Sequence, residues 1–247
     1  MRAVIIIPAR FKSTRFPGKP LAKLKGKPMI QWVVELSARA VGIENVYVAT
    51  DDIRIEQFVK AIGYQVLMTS ETCLTGTDRI AEAALKIKAD IYVNVQGDEP
   101  LISPKDIIKI INHKIDYPND VINGYTEIRK NEDPKSRNIP KVIFTEEKYL
   151  VYMSRQVLPG SKKKVDSKIP YYKQVCIYAF SKEELLSFTN FGRKSYLEQL
   201  EDIEILRFLE LNKKIRLVKS KADSLAVDIP EDIIKVEAAL NDIWNET

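Results

Sequence analysis

The chain has 247 residues, 45% apolar and 30% charged, which is enough for one large α/β domain with a continuous core. A formal charge of +5, from 39 basic and 34 acidic residues, is too small and too dispersed for a nucleic-acid surface and suits an anionic small molecule better. A single histidine, His113, in a polar stretch, and two cysteines, Cys73 and Cys176, in no CxxC spacing exclude a histidine-rich zinc site and argue against Ser–His–Asp catalysis and a disulfide scaffold. Chemistry therefore has to run on carboxylates, lysines, arginines and, where a metal is needed, magnesium. No apolar run reaches the length of a signal segment or a membrane span, so the expected location is the cytoplasm.

The first half alternates short β-branched runs with helical spacing. Ala3–Ile7 reads as a buried strand ending at Pro8, and residues 28–40 as a helix with Ile30, Val33 and Val34 on one face. Strands follow at Val46–Thr50, 65–69 and Ile91–Val95, with helices over 53–62 and 77–88 between them. This order predicts a mostly parallel central sheet covered on both faces, with ligands beyond the carboxyl ends of its strands. In the second half, residues 142–155 read as a hairpin turning near Glu146 and Glu147, 161–168 as an exposed lysine-rich loop, and 175–180 as a strand. Residues 196–211 read as one helix, the stretch Lys-Lys-Ile-Arg-Leu-Val-Lys-Ser as a strand, and Pro230 as the first turn of a final helix. There are no repeats and no long linker.

Four segments carry the chemistry. Residues 8–21 place Arg10, Lys12, Arg15 and Lys19 in one loop shaped by Gly18 and three prolines. Several cations and free amides in a rigid loop match a triphosphate, although a solvated basic loop has the same composition. It is not a Walker A loop, which needs GxxxxGK[ST]. Val-Gln-Gly-Asp-Glu-Pro over 95–100 ends the fourth strand with Asp98, placed to hold magnesium on a phosphate or simply to cap a turn. Asp228 precedes the last helix, as a second metal carboxylate or a helix cap. Gly76, Thr77, Asp78 and Arg79 open a helix and offer a hydroxyl and a guanidinium to a base or phosphate, or merely start the helix.

Taken together, Ile-Ile-Pro-Ala-Arg-Phe-Lys-Ser-Thr-Arg-Phe-Pro-Gly-Lys-Pro-Leu, Gly-Lys-Pro-Met-Ile, Val-Tyr-Val-Ala-Thr-Asp-Asp, Gly-Thr-Asp-Arg-Ile-Ala-Glu-Ala, Val-Asn-Val-Gln-Gly-Asp-Glu-Pro, Val-Tyr-Met-Ser-Arg and Val-Asp-Ile-Pro-Glu-Asp-Ile occur in the order seen in the 3-deoxy-manno-octulosonate (Kdo) cytidylyltransferases. The chain resembles that family from Val4 to about Glu237. The resemblance implies a nucleotidyltransferase fold related to type-A glycosyltransferases, in a single domain over 1–247. A sub-lobe near 120–200 would bind sugar and form the contact of a homodimer. It also implies Mg2+, CTP and a sugar acid as ligands, lipopolysaccharide synthesis as the setting, and neither nucleic acid nor membrane as a partner.

By position in the motifs, Lys19, Arg10 and Arg15 would serve the triphosphate, with Lys19 supporting the leaving pyrophosphate. Pro8, Ala9, Arg10, Ser13, Gly76, Thr77 and Arg79 would hold the nucleotide, and Asp98 and Asp228 the metal. Gln96, Lys141, Arg155, Gln174, Tyr178 and Glu204 would line the sugar pocket. Two positions depart from the family pattern: Gln174 stands where a histidine is common, and Ile205 follows Glu204 where glutamine is common. Losing partners there would alter acceptor preference, for instance toward 8-amino-Kdo or another acidic sugar. A type-A glycosyltransferase would usually show a DxD motif, and a non-catalytic nucleotide binder would have lost Lys19 or the carboxylates.

Overall fold

The computed structural model of the protein describes residues 1–13, 15–129, 132–160, 170–221 and 225–245, with 241–245 described by backbone alone. The lysine-rich stretch 161–168 lies outside them. The first half runs β1 (Ala3–Ala9), a small hairpin of β2 (Lys23–Leu24) and β3 (Lys27–Pro28), α1 (Met29–Val41), β4 (Val46–Thr50), α2 (Ile53–Ala61), β5 (Gln65–Met68), α3 (Gly76–Ala84) and β6 (Ile91–Val95). The second half adds α4 (Pro104–Asp116), β7 (Val121–Glu127), β8 (Lys141–Phe144), β9 (Leu150–Ser154), β10 (Tyr172–Phe180), α5 (Lys182–Asn190), α6 (Tyr196–Glu201), α7 (Leu206–Glu210), β11 (Ile215–Lys219) and α8 (Asp232–Asn245).

The central sheet has the order β11-β7-β10-β6-β1-β4-β5, with the β8–β9 hairpin attached through β10. Its strands are parallel except β10, which runs antiparallel to both β6 and β7. Alternation along the strands sorts side chains onto two faces, as a period of two requires. Val4 and Ile6 enter the core under α3, α5 and α7, whereas Ile5 and Ile7 enter the one under α1, α2 and α4. Val4 to Ile7 are all fully buried, so this run is apolar throughout because both faces are covered. A third, smaller cluster of Leu24, Met29, Trp32, Leu101, Val227, Val236 and Leu240 seats α8 beside the β2–β3 hairpin.

Several boundaries differ from the sequence expectations. β1 continues through Pro8 to Ala9; its pairing with β6 stops at Ile6, while that with β4 runs on to Ala9–Thr50. Pro8, with no N–H to give, thus sits where one side of the strand has already opened. α3 ends at Ala84 instead of 88, where Leu85 N and Lys86 N bond back three residues to Glu82 O and Ala83 O. The single helix expected over 196–211 is broken: Asp202 adopts a left-handed conformation at φ 50°, which aspartate tolerates better than most residues. Pro230 precedes α8 rather than opening it, and the Asp232 carboxylate turns back to accept from the N–H groups of Asp228 and Ile229 at 3.1 and 3.2 Å.

Besides the small β2–β3 hairpin, three longer elements had no counterpart in the reading of the sequence. They are α4, which starts after Ser103 with Pro104; β7, whose central Asn123-Gly124 mimics a turn; and α5, opened by a Ser181–Glu184 capping box. Among the described residues no helix is long and apolar enough to cross a membrane.

Candidate active site

The basic loop leaves the carboxyl end of β1 and folds back on itself. Gly18 N donates to Phe11 O at 2.9 Å, and Gly18 holds φ +71° with the Phe11 ring only 2.9 Å from where a Cβ would sit. Both features favour glycine there. The Arg54 guanidinium also packs on Phe11, 3.3 Å from the ring centroid. Ser13 Oγ accepts from Phe16 N at 3.3 Å. Arg10 is exposed, whereas Lys12 is spent on Glu71 at 3.1 Å.

Two carboxylates meet this loop from distant parts of the chain. Lys19 Nζ donates to Asp98 Oδ2 at 2.5 Å and to Val227 O at 2.9 Å. Arg15 Nη2 donates to Asp228 Oδ1 at 3.1 Å. Val227 N donates to Asp98 O at 3.0 Å, and Val227 itself is fully buried in the third apolar cluster. Burying a valine is worth about 1.5–3 kcal/mol, so apolar packing of α8 is what sets Asp228 beside the turn that carries Asp98. Behind that turn Gly97 lies against β1, with Pro8 O 3.1 Å from where its Cβ would be.

Beside these charges lies a polar surface on the α3 face of the sheet. Gly76 is the meeting point: a Cβ there would approach Gln96 Nε2 and Pro8 Cγ at 3.4 Å and Glu204 Oε1 at 3.7 Å. Glu204 accepts from Thr77 N at 3.0 Å and from Gln96 Nε2 at 3.2 Å. Burial holds its carboxyl above the ordinary range, opposed by the Thr77 N–H bond. The break at Asp202 aims Glu204 this way, and Arg207 fixes the break. That guanidinium is fully buried, 2.7 Å from each Glu198 carboxylate oxygen and 2.9 Å from Asp78 Oδ1 in the first turn of α3.

On β10 the side chains of Gln174, Cys176 and Tyr178 share this face. Gln174 Nε2 donates to Tyr178 OH at 3.1 Å and lies 3.3 Å from Asn123 Oδ1. β10 carries a bulge against β7 between Val175 and Tyr178, and Asn123 Nδ2 fills it by donating to Val175 O and Ile177 O at 2.9 and 3.0 Å. Burial, with the neighbouring Cys176 and Glu204, pushes the Tyr178 phenol well up.

Three other predicted residues are drawn into the protein. Arg79 is buried, 2.5 Å from Thr69 Oγ1 and 3.2 Å from Asp51 Oδ2. Lys141 is fully buried, and its ammonium donates to Ser136 O and Arg155 O at 2.8 and 2.7 Å; burial and the Arg155 charge lower its proton affinity. Arg155 clamps the end of α6 through Glu201 O and Asp202 O at 2.6 and 3.0 Å. Ile205 is 1% exposed in the apolar core, so any influence it has on an acceptor passes through the placement of Glu204.

Cys176 and Glu99 were missed as neighbours of the site. Burial first, then Glu99 and Asp98, drives the Cys176 thiol well above its usual range, so it stays protonated and is no nucleophile. Its two-residue spacing from both Gln174 and Tyr178 was the available signal.

Comparison with known proteins identifies the family. A family model described as Cytidylyltransferase matches residues 4–215. A 3-deoxy-manno-octulosonate cytidylyltransferase of Geobacter metallireducens is 42% identical, over 98% of each chain. An 8-amino-3,8-dideoxy-manno-octulosonate cytidylyltransferase of Shewanella baltica is 40% identical, over 97% of this chain and 99% of that one. The structure of a CMP:2-keto-3-deoxy-manno-octonic acid synthetase complexed with CTP superposes with a TM-score of 0.89 at 37% identity, covering 98% of this chain and 99% of the other. A family model matching residues 4–215 and relatives at 40 and 42% identity over nearly the whole length place the chain in the cytidylyltransferase family, in the group that holds the Kdo and 8-amino-Kdo enzymes.

Proposed function

We propose that the protein transfers CMP from CTP to the anomeric hydroxyl of Kdo and releases pyrophosphate. The observation that carries this is the convergence at the open end of β1 and β6: Lys19 and Arg15 contact Asp98 and Asp228, and Gly76 brings Gln96 and Glu204 to the adjoining surface. Lys19, Arg15 and Arg10 would take the triphosphate, with Lys19 countering charge on the departing pyrophosphate. Pro8, Ala9, Ser13, Gly76 and Thr77 frame the nucleotide, and Arg79 supports that frame from within. Gln96, Gln174, Tyr178 and Glu204 orient the sugar acid, with Lys141 and Arg155 shaping the wall behind. The hydroxyl attacks the α-phosphorus in line, so the protein contributes position and charge compensation rather than a covalent intermediate.

Asp98 and Asp228 fit Mg2+: they are hard oxygen donors at the phosphate loop, and magnesium commonly takes one or two carboxylates together with substrate phosphates. When bound, the ion lowers the pKa of the attacking hydroxyl and neutralises phosphate charge. With this reading go a cytoplasmic homodimer, a role for residues 120–200 at its contact, and a place in lipopolysaccharide synthesis, all supported by the motif resemblance.

The test is pyrophosphate release from CTP and Mg2+ with Kdo and 8-amino-Kdo as parallel acceptors. Faster turnover of Kdo is expected. Preference for the amino sugar would replace the acceptor and make Gln174 a determinant of it; the Shewanella baltica relative is the specific reason to run that arm. No pyrophosphate with any sugar acid would overturn the reaction and reopen the glycosyltransferase and binding-protein readings.

A further inference from the structure

We infer that the pairs Lys19–Asp98 and Arg15–Asp228 form an ionic exchange lock, in which the free enzyme neutralises its nucleotide ligands against its metal ligands and so makes the two bind cooperatively. The inference rests on the proposed roles of these four residues. Each pair joins a cation of the β1 loop to a carboxylate 79 or 213 residues away. The bond from Val227 N to Asp98 O, with the one from Lys19 to Val227 O, ties the two pairs into one unit.

The consequence is a thermodynamic linkage. When Asp98 and Asp228 turn to a divalent cation alone, they leave Lys19 and Arg15 unpaired. When Lys19 and Arg15 turn to a triphosphate alone, they leave two carboxylates unpaired beside a polyanion. When both ligands arrive, every charge is matched again. Each ligand therefore improves the affinity of the other, by the same factor in both directions. The Lys19–Asp98 pair carries more of the coupling because it is less exposed, at 16% and 26% against 57% and 30% for Arg15–Asp228; exposed pairs are worth little.

Mn2+ binding to the nucleotide-free protein, read by electron paramagnetic resonance, tests the metal side. Lys19→Met should tighten Mn2+ by about tenfold and Arg15→Met by about threefold, since each frees a carboxylate. Unchanged or weaker Mn2+ binding in both variants would overturn the lock. CTP binding in EDTA, measured by equilibrium dialysis, tests the other side. Asp98→Asn should tighten CTP by about tenfold, and most of that gain should vanish in the Lys19→Met background. An equal gain in both backgrounds would show simple repulsion between Asp98 and triphosphate and would also overturn the inference. Neither arm contains an acceptor, and the Mn2+ arm contains no nucleotide, so a wrong acceptor or nucleotide assignment leaves the result readable. The exposed Arg15→Met keeps the metal arm decisive even where Lys19→Met folds poorly.

Discussion

The two halves of the cleft are built on different principles. The side proposed for the nucleotide consists of long cationic side chains from a loop, partly exposed and paired with carboxylates from distant segments. The side proposed for the acceptor consists of mostly buried polar groups on the sheet and on the α6–α7 break, already hydrogen-bonded to one another. Ion pairs at a surface rearrange at little cost, whereas buried polar networks do not. The first half therefore suits a ligand whose charge is common to many reactions, and the second suits discrimination between similar sugars.

The sharpest way to separate the halves is Lys19→Ala. Turnover should fall by about three orders of magnitude, while the melting temperature and circular dichroism stay near those of the wild type. Near-normal turnover would end the assignment of Lys19. Asp228→Asn should cost about a hundredfold and raise the Mg2+ concentration at half-maximal rate, with Km for the sugar little changed. If the sugar Km moved instead, the division between halves would fail.

Glu204→Gln tests the other half. One of the donors from Thr77 and Gln96 would then face an NH2 group, an unmet bond worth about 1–3 kcal/mol. The expected result is roughly a tenfold rise in Km for the sugar acid, with CTP affinity held. The same variant has a pH signature. Burial keeps the Glu204 carboxyl above its ordinary value of 4.5, so the folded chain retains that proton to higher pH than the unfolded one. The contribution to stability is complete below the ordinary value and is lost as pH rises through the folded value. The melting temperature of Glu204→Gln should thus gain on the wild type across that window, and a difference that stays flat with pH would remove the claim.

The cations of the proposed nucleotide half were legible because they are contiguous, although their carboxylate partners lie 79 and 213 residues away. Arg10, Arg15 and Lys19 lie in one loop, and Asp98 follows directly on a strand whose limits, Ile91–Val95, match the structure residue for residue. The parallel order of β1, β4, β5 and β6 was equally open to reading, since β1, β4 and β6 are buried on both faces and mostly apolar, and only the edge strand β5 is partly exposed. The acceptor half depends on contacts between remote residues. Nothing local reveals that Asp202 breaks a helical pattern to aim Glu204, or that Arg79 spends its charge on Asp51. β7 was hidden by Asn123-Gly124, whose turn-like sequence serves here to repair the bulge in β10.

Smaller effects refine the acceptor side. Gln174→His should shift the ratio of kcat/KM for Kdo over 8-amino-Kdo by a few-fold, about 1 kcal/mol, by exchanging an amide donor for an imidazole beside Tyr178. Ile205→Gln should leave that ratio unchanged while destabilising the fold by about 1–3 kcal/mol, because it buries an amide in an apolar core. A changed ratio in that variant would mean that position 205 reaches the sugar after all.

The bulge in β10 also constrains how such a pocket is able to diversify. Two residues, Cys176 and Ile177, are inserted between Val175, opposite Gly124, and Tyr178, opposite Asn123. Because they come as a pair, the strand keeps its alternation on both sides of the interruption. Loss of one of them would turn Gln174 and Tyr172 toward α4 and bring Lys173 and Val175 to the cleft, exchanging a polar lining for a mismatched one in a single step. The lining of this strand is therefore open to change by substitution but not by a single insertion or deletion, which only the loops accommodate.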